Sequence, residues 1–350
     1  MNRLDARLQQ LPQNVFTTVA AIDELKGEWV GGSNLSPQAL QRLRRSALAT
    51  STGASTRIEG AKMSDEEVEK FMRGLKTQKM TDRDEQEVRG YFETLQGVFD
   101  NYKEMVLSES LILHLHGRLL RYSDKDERHK GAYKHLENQV EAREADGTFV
   151  GIIFETTPAY LTPIAIRELV EWTTAAYEHG YVHPLLVTAN FIVEFLKIHP
   201  FLDGNGRLSR IMTSLLLLRS GYVYVPYVSH EKIIEADKPQ YYIALRRSQG
   251  TFGSAEESIV DWTEFFMGVL RAQAREAIGL IRAEDIEKLL SPQQLKVWHY
   301  LGEVDEASPA EISQATQVAR DTVFQVLTRL MDMKKIERLG LGRATRYRKI

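Results

Sequence analysis

Residues 199–210 read HPFLDGNGRLSR and place a histidine, a carboxylate, an asparagine between two glycines and two arginines three apart within twelve positions. His199 is the one group among them whose ordinary pKa lies near neutrality, which suits it to take a proton from an attacking hydroxyl. Gly204, Asn205 and Gly206 come just before a segment of helical periodicity, so their N–H groups and those of the first turn make an anion site at the positive end of a helix. Arg207 and Arg210, at i and i+3, add fixed donors that match a polyphosphate better than a single carboxylate. Asp203 would repel phosphate unless a cation intervenes, whereas a carboxylate that holds Mg²⁺ helps to bridge phosphate oxygens. Together these types point to nucleotide phosphate chemistry. They leave kinase, nucleotidyl transferase and phosphohydrolase open. No G-x-x-x-x-G-K-[ST] occurs, and the stretch lacks the strand and third glycine of a dinucleotide fingerprint, which disfavours P-loop and Rossmann folds.

Helices must position this group. Apolar residues return every three or four positions in 36–50, 64–76, 84–106, 108–121, 163–179, 185–198, 207–220, 239–247 and 257–290, which predicts a mainly α protein. After Asn205 the apolar stripe is Leu208, Ile211, Met212, Leu215, Leu216 and Leu218; Arg207, Arg210 and Ser214 share the other face, and Gly221 is the expected stop. Residues 131–160 depart from the pattern, with β-branched runs around Asp146-Gly147 and an end at Pro158, and read as a β-hairpin. From about residue 283 two Ser-Pro helix openings, at 291–292 and 308–309, and a third helical run precede β-compatible residues around Gly340 and Gly342. That order resembles a winged helix-turn-helix. Residues 320–350 hold nine basic and three acidic residues, a local +6 that suits phosphate contact by the third helix and the wing. Winged helices also serve as protein-binding modules, so a DNA or a protein partner is expected there.

Composition limits the rest. A chain of 350 residues, 43% hydrophobic and 27% charged, can bury a sizeable core. A net charge of −3 argues against attraction of the whole protein to nucleic acid or anionic membrane. With no cysteine there is no disulfide, thiolate zinc site or thiol nucleophile. The start lacks a continuous apolar run, and the most apolar stretch, 185–198, is broken by Glu194 and Lys197; no membrane span and a cytoplasmic location are expected.

HPFLDGNGRLSR matches without exception the motif H-P-F-x-[DE]-G-N-G-R-x-x-R, and by it the chain resembles the Fic family. The resemblance implies an all-helical core with a β-hairpin flap and transfer of AMP from ATP, with Mg²⁺ as cofactor, to a Ser, Thr or Tyr hydroxyl of a target protein. It implies His199 as the base and Asp203 as metal ligand. Gly204, Asn205, Gly206, Arg207, Leu208, Ser209 and Arg210 would bind the nucleotide, the arginines at its β- and γ-phosphates. Residues 131–134, GAYK, resemble the G-x-[FY]-R that leads into the flap, with Lys134 where Arg is usual. Val150, Gly151, Ile152 and Ile153 resemble the flap strand beside the nucleotide, which would hold the target by strand addition. Tyr241, Tyr242 and Gln249 match positions lining the adenosine pocket. STRIEG at 55–60 resembles the inhibitory signature [ST]-x-x-x-E-[GN], with Ser55, Glu59 and Gly60 in place. A Glu59 carboxylate paired with Arg210 would take the space and charge that the γ-phosphate needs. The expected organisation is an N-terminal helical region 1–110, a Fic core 111–282 and a winged helix domain 288–350. An enzyme that removes AMP, and a DNA-binding regulator with a nucleotide-sensing Fic domain, are the alternatives; a homodimer is compatible with either.

Overall fold

The structure, a computed structural model, describes residues 2–32, 35–74, 82–143, 149–333, 335–340 and 345–349, and over 139–155 and 283–289 it describes the backbone. These fall into two compact units, Met1–Ile278 and Gly279–Ile350, so the stretches 1–110 and 111–278 pack as one body.

In the first unit the chain runs through α1 (Arg3–Ala6), α2 (Gln13–Gly32), α3 (Pro37–Ile58), α4 (Asp65–Gly74), α5 (Arg83–Asn101) and α6 (Glu109–Leu119). The hairpin follows, β1 (Gln139–Arg143) and β2 (Phe149–Glu155), then α7 (Thr162–His179), α8 (Pro184–Ile198), α9 (Asn205–Arg219), α10 (His230–Ala236), α11 (Lys238–Gln249) and α12 (Val260–Leu289), whose residues from Gly279 on are counted with the second unit. Local chemistry sets the helix ends. The Ser36 hydroxyl accepts from Ala39 N–H and Pro37 sits next to it, where a missing N–H costs nothing. Ser108 caps α6 in the same way. The helix from 13 to 32 was not among the periodic segments: only Val15, Val19, Ile22 and Trp29 of its residues are buried, too sparse a stripe to stand out.

Helices α8 and α9 are the centre of the unit. Thirteen of the fifteen residues of α8 are buried, and the same holds for α9. Arg207, Arg210 and Ser214, on the face opposite the apolar stripe, are as buried as the leucines, because α3 and α5 cover that side while α6 and α8 pack on others. Helix α9 also starts earlier than the apolar pattern, at Asn205, with Gly204 as its N-cap at φ 81.

Strands β1 and β2 pair antiparallel from Gln139↔Glu155 to Arg143↔Phe149, with shifts of register that leave Val150 and Ile153 unmatched, and β2 approaches α11. Asp146 and Gly147 lie outside the described residues.

The second unit has α13 (Pro292–Glu303), α14 (Pro309–Thr316), α15 (Arg320–Asp332) and the antiparallel strands β3 (Ile336–Leu339) and β4 (Arg346–Lys349). Both Ser-Pro openings form capping boxes, Ser291 with Gln294 and Ser308 with Glu311. Trp298, Ile312, Leu327, Leu330 and Tyr347 share its core. Among the described residues no helix is long and apolar enough to cross a membrane.

Candidate active site

The loop between α8 and α9 holds the chemistry. His199 closes α8 in a left-handed conformation, φ 51 and ψ 61, which a non-glycine residue adopts at a cost of about 1–2 kcal/mol. Its Nδ1 lies 3.2 Å from the Leu196 carbonyl. A carbonyl only accepts, so Nδ1 carries the proton and Nε2 keeps its lone pair. Burial pushes the imidazole down to about 4, so it is neutral at physiological pH. Asn205 closes the loop from within: its Oδ1 accepts from Phe201 N–H (3.0 Å) and its Nδ2 donates to the Phe201 carbonyl (2.8 Å).

A second histidine supports the loop from behind. Gly131 N–H donates to His116 Nδ1 (3.0 Å), so Nε2 is protonated and donates to the Asp203 carbonyl (3.1 Å). The ring stacks on Phe201 with centroids 3.6 Å apart. Fully buried, it is pushed down to about 4 and stays neutral.

At the start of α9 the anion cradle already contains an anion. Glu59, just past the end of α3, accepts from Arg210 Nη2 (2.7 Å), and Ser55 accepts from Arg210 through its hydroxyl (2.8 Å) and its carbonyl (3.0 Å). The carboxylate rests on Gly206, where a Cβ would overlap Glu59 Oε1. Burial would raise the Glu59 pKa, but the ion pair with Arg210 outweighs it and holds the carboxyl below its usual range. Gly60, at φ 107, follows as the helix stop.

Arg207 is buried between two carboxylates, with Nη2 on Asp203 Oδ1 (2.8 Å) and Nη1 3.1 Å from Glu87 Oε2 of α5. Nε and Nη1 of Arg207 and Nη1 of Arg210 are buried with no acceptor in hydrogen-bonding geometry. Buried donors are normally satisfied, so these are the groups of the site that could hold an anion. Asp203 Oδ1 also accepts from Gly204 N–H (2.6 Å), whereas Oδ2 is turned to Lys125 Nζ at 3.4 Å. Burial raises the Asp203 pKa, and Arg207 and Lys125 together bring it below the usual value.

The other predicted positions are placed as follows. Ser209 Oγ donates to the Gly206 carbonyl (2.8 Å), and Leu208 is fully buried. Tyr241 is buried with its hydroxyl against Arg210 and Ser209, and its ring meets Tyr242 at 5.1 Å. Gln249 is also buried, its amide donating to the Val193 carbonyl (3.0 Å). The structure therefore joins Ser55, Glu59, Gly206, Arg210 and Tyr241 in one cluster, spends the side chain of Asn205 on internal bonds, and leaves Gln249 Oε1 buried with no hydrogen-bond partner. Val150–Ile153 belong to β2, the strand near α11. Glu87 and His116 were not foreseen: a single carboxylate in an exposed-looking helix and a lone histidine in an apolar one carry no local signature.

The sequence profile of the Fic/DOC family matches residues 106–217, which contain this loop. Over those residues the chain is similar to the Fic/DOC family. A probable protein adenylyltransferase of Aquifex aeolicus is 30% identical over 194 residues, 53% of this chain and 52% of that protein. Protein adenylyltransferase Fic of Drosophila willistoni is 28% identical over 198 residues, 53% of this chain and 35% of that one. The chain thus spans about half the length, or less, of these curated relatives. The crystal structure of a Fic family protein from Desulfovibrio desulfuricans covers 97% of both chains at 25% identity and a TM-score of 0.62. The Fic fold of this chain therefore extends beyond the matched domain into its flanking helices.

Proposed function

We propose that this Fic chain is an ATP-dependent protein adenylyltransferase restrained by its own Glu59. The observation that carries the reading is the carboxylate seated on Gly206 and paired with Arg210 at the start of α9, beside arginine donors that still need an acceptor. An ATP phosphate satisfies the same groups and must displace Glu59 to do so. With the phosphates held there, a Ser, Thr or Tyr hydroxyl of the target attacks the α-phosphorus. His199 Nε2 takes the hydroxyl proton, the bond from the α-phosphorus to its bridging oxygen breaks, and pyrophosphate leaves. The names of the similar proteins support adenylyl transfer over the other phosphate chemistries.

The residues fit Mg²⁺ in one particular way. Asp203 Oδ1 is taken by Gly204 and Arg207 and Oδ2 meets only the exposed Lys125 ammonium, which an ion would have to displace; among the described residues no cluster of three or more metal-ligating side chains occurs. That suits an ion shared between one carboxylate and phosphate oxygens rather than a cage made by protein. When bound, Mg²⁺ supplies charge neutralisation for the departing pyrophosphate.

The C-terminal unit, three helices followed by a two-stranded sheet, is proposed as a winged helix that recruits the enzyme to a partner. Several of its basic residues are engaged at home: Arg346 with Glu306 and Glu311, Arg348 with Glu337, and Lys349 over the Trp298 ring. Phe324 stands exposed on α15. Both features favour a protein partner over DNA.

The test is incubation of the Glu59→Gly protein with labelled ATP and cell lysate. A labelled band that disappears on adding His199→Ala is expected. No band with any lysate, and no self-modification, would overturn adenylyl transfer.

A further inference from the structure

The root of the hairpin and the catalytic turn meet in a polar knot that the proposed reaction leaves unused. Lys134 is 3% exposed, and its ammonium spends its three donors on neutral acceptors: Asn138 Oδ1 (2.7 Å), Thr156 Oγ1 (2.9 Å) and the Ile198 carbonyl (3.1 Å). Its own N–H donates to the Pro200 carbonyl (2.8 Å). Asn138 Nδ2 donates to the Phe201 carbonyl (2.8 Å) and reaches the His199 carbonyl at 3.5 Å. Four successive carbonyls, 198 to 201, are therefore held by two residues just ahead of β1. From the other side of the hairpin, the Thr156 hydroxyl donates to Asn138 (2.6 Å) and Thr157 N–H donates to the Lys197 carbonyl (3.2 Å).

The need is physical. A helix leaves its last carbonyls without partners, and the left-handed turn at His199 prevents the chain from supplying them. Burying an ammonium costs several kcal/mol unless it is well bonded. A purely structural cap could be made more cheaply by a neutral donor.

We propose that Lys134 is a positioning residue for adenylyl transfer, holding the turn that aims His199 and, through Asn138 and Thr156, fastening both ends of the flap to that turn. This rests on the adenylyltransferase reading. A target strand laid along the flap then arrives in fixed register with the imidazole. The charge matters as well as the bonds. Burial is the main cause that keeps His199 neutral; the Leu196 carbonyl, Glu59 and Asp203 oppose it, and Lys134 works with it.

Three substitutions in the Glu59→Gly background test this: Lys134→Met, Lys134→Arg and Asn138→Ala. With Mg·ATP, calorimetry should give Kd values within about threefold of the parent for all three. The kcat for transfer should fall at least thirtyfold in Lys134→Met and about tenfold in Asn138→Ala, with Lys134→Arg recovering most of the loss. Side-chain NMR of nucleotide-free protein should show His199 titrating at higher pH in Lys134→Met but not in Lys134→Arg. An unchanged kcat, a kcat loss matched by equal loss of ATP affinity, or an unmoved His199 titration would overturn the proposal. If Lys134→Met does not fold, Asn138→Ala decides the geometry by kcat against Kd, and Lys134→Gln the charge by the His199 titration. Should the parent itself transfer no AMP, the functional reading falls, while the NMR titration still judges the link between Lys134 and His199.

Discussion

Replacing Glu59 by glycine removes the anion that sits in the cradle, and the structure sets the size of the effect. The carboxylate makes one charge-assisted hydrogen bond to Arg210 and occupies the surface of Gly206. A bond of that kind contributes about 1.5–3 kcal/mol, and ATP gains what it no longer has to break. Affinity for Mg·ATP should therefore tighten about tenfold to a hundredfold. Arg210 keeps both of its bonds to Ser55, so the donor stays aimed at the ligand. Breaking a buried ion pair costs about 3–5 kcal/mol, but the Glu59 side chain is 31% exposed, so water reaches the gap and the loss of stability should be about 1–2 kcal/mol. Titration calorimetry with a non-hydrolysable ATP analogue and Mg²⁺, run beside thermal unfolding, measures both. Glu59→Gln, nearly equal in volume but uncharged, should give most of the gain in affinity. Equal Kd values for wild type and Glu59→Gly would refute the idea that this carboxylate competes with a phosphate.

His199→Ala should abolish transfer while leaving the Kd for Mg·ATP within about threefold, because the base touches the hydroxyl and not the phosphate grip; a loss of binding in proportion would assign it a structural role. Gly206→Ala should destabilise the wild type by about 1–3 kcal/mol through overlap with Glu59, and by much less in the Glu59→Gly background. Additive effects in denaturant melts would contradict the contact. His116 and His199 titrate near 4 in the fold and near 6.5 when unfolded, so the unfolded chain binds more protons between those values. Stability should be full above about pH 6.5 and decline toward pH 4, by about 3 kcal/mol for buried His116 and by less for partly exposed His199. Glu59 and Asp203, whose pKa values are lowered, contribute above their unfolded values near 4 and lose that contribution only as the pH falls further. Urea unfolding at pH 7, 5.5 and 4.5 checks this; a flat profile down to pH 5 would exclude neutral burial of both histidines.

The helices that frame the loop were legible because their apolar residues recur at helical spacing, and the pairing of Glu59 with Arg210 followed from a short signature that resembles a known one. What was not legible depends on contacts between segments distant in the chain. Nothing near Arg207 announces that Glu87, on α5, closes over it, or that α3 and α5 bury a face carrying two arginines and a serine. The same is true of His116, whose role exists only because Gly131 and Asp203 reach it from both sides. Lys134 stood out as a departure from a motif, but its three acceptors come from the flap and from α8. Asn205 shows the converse: a residue type suited to a ligand is consumed by the backbone around it.

Helix α8 ends at Ile198 and α9 begins at Asn205, so six residues separate the carbonyl end of one from the amide end of the other. Each end carries roughly half a charge, of opposite sign. The short span between them is polarised before any ligand arrives. In the proposed transfer the proton leaving the hydroxyl would move toward the carbonyl end, where His199 lies, and the departing charge toward the amide end. The polarity of the backbone on either side of the turn would thus favour both halves of that step.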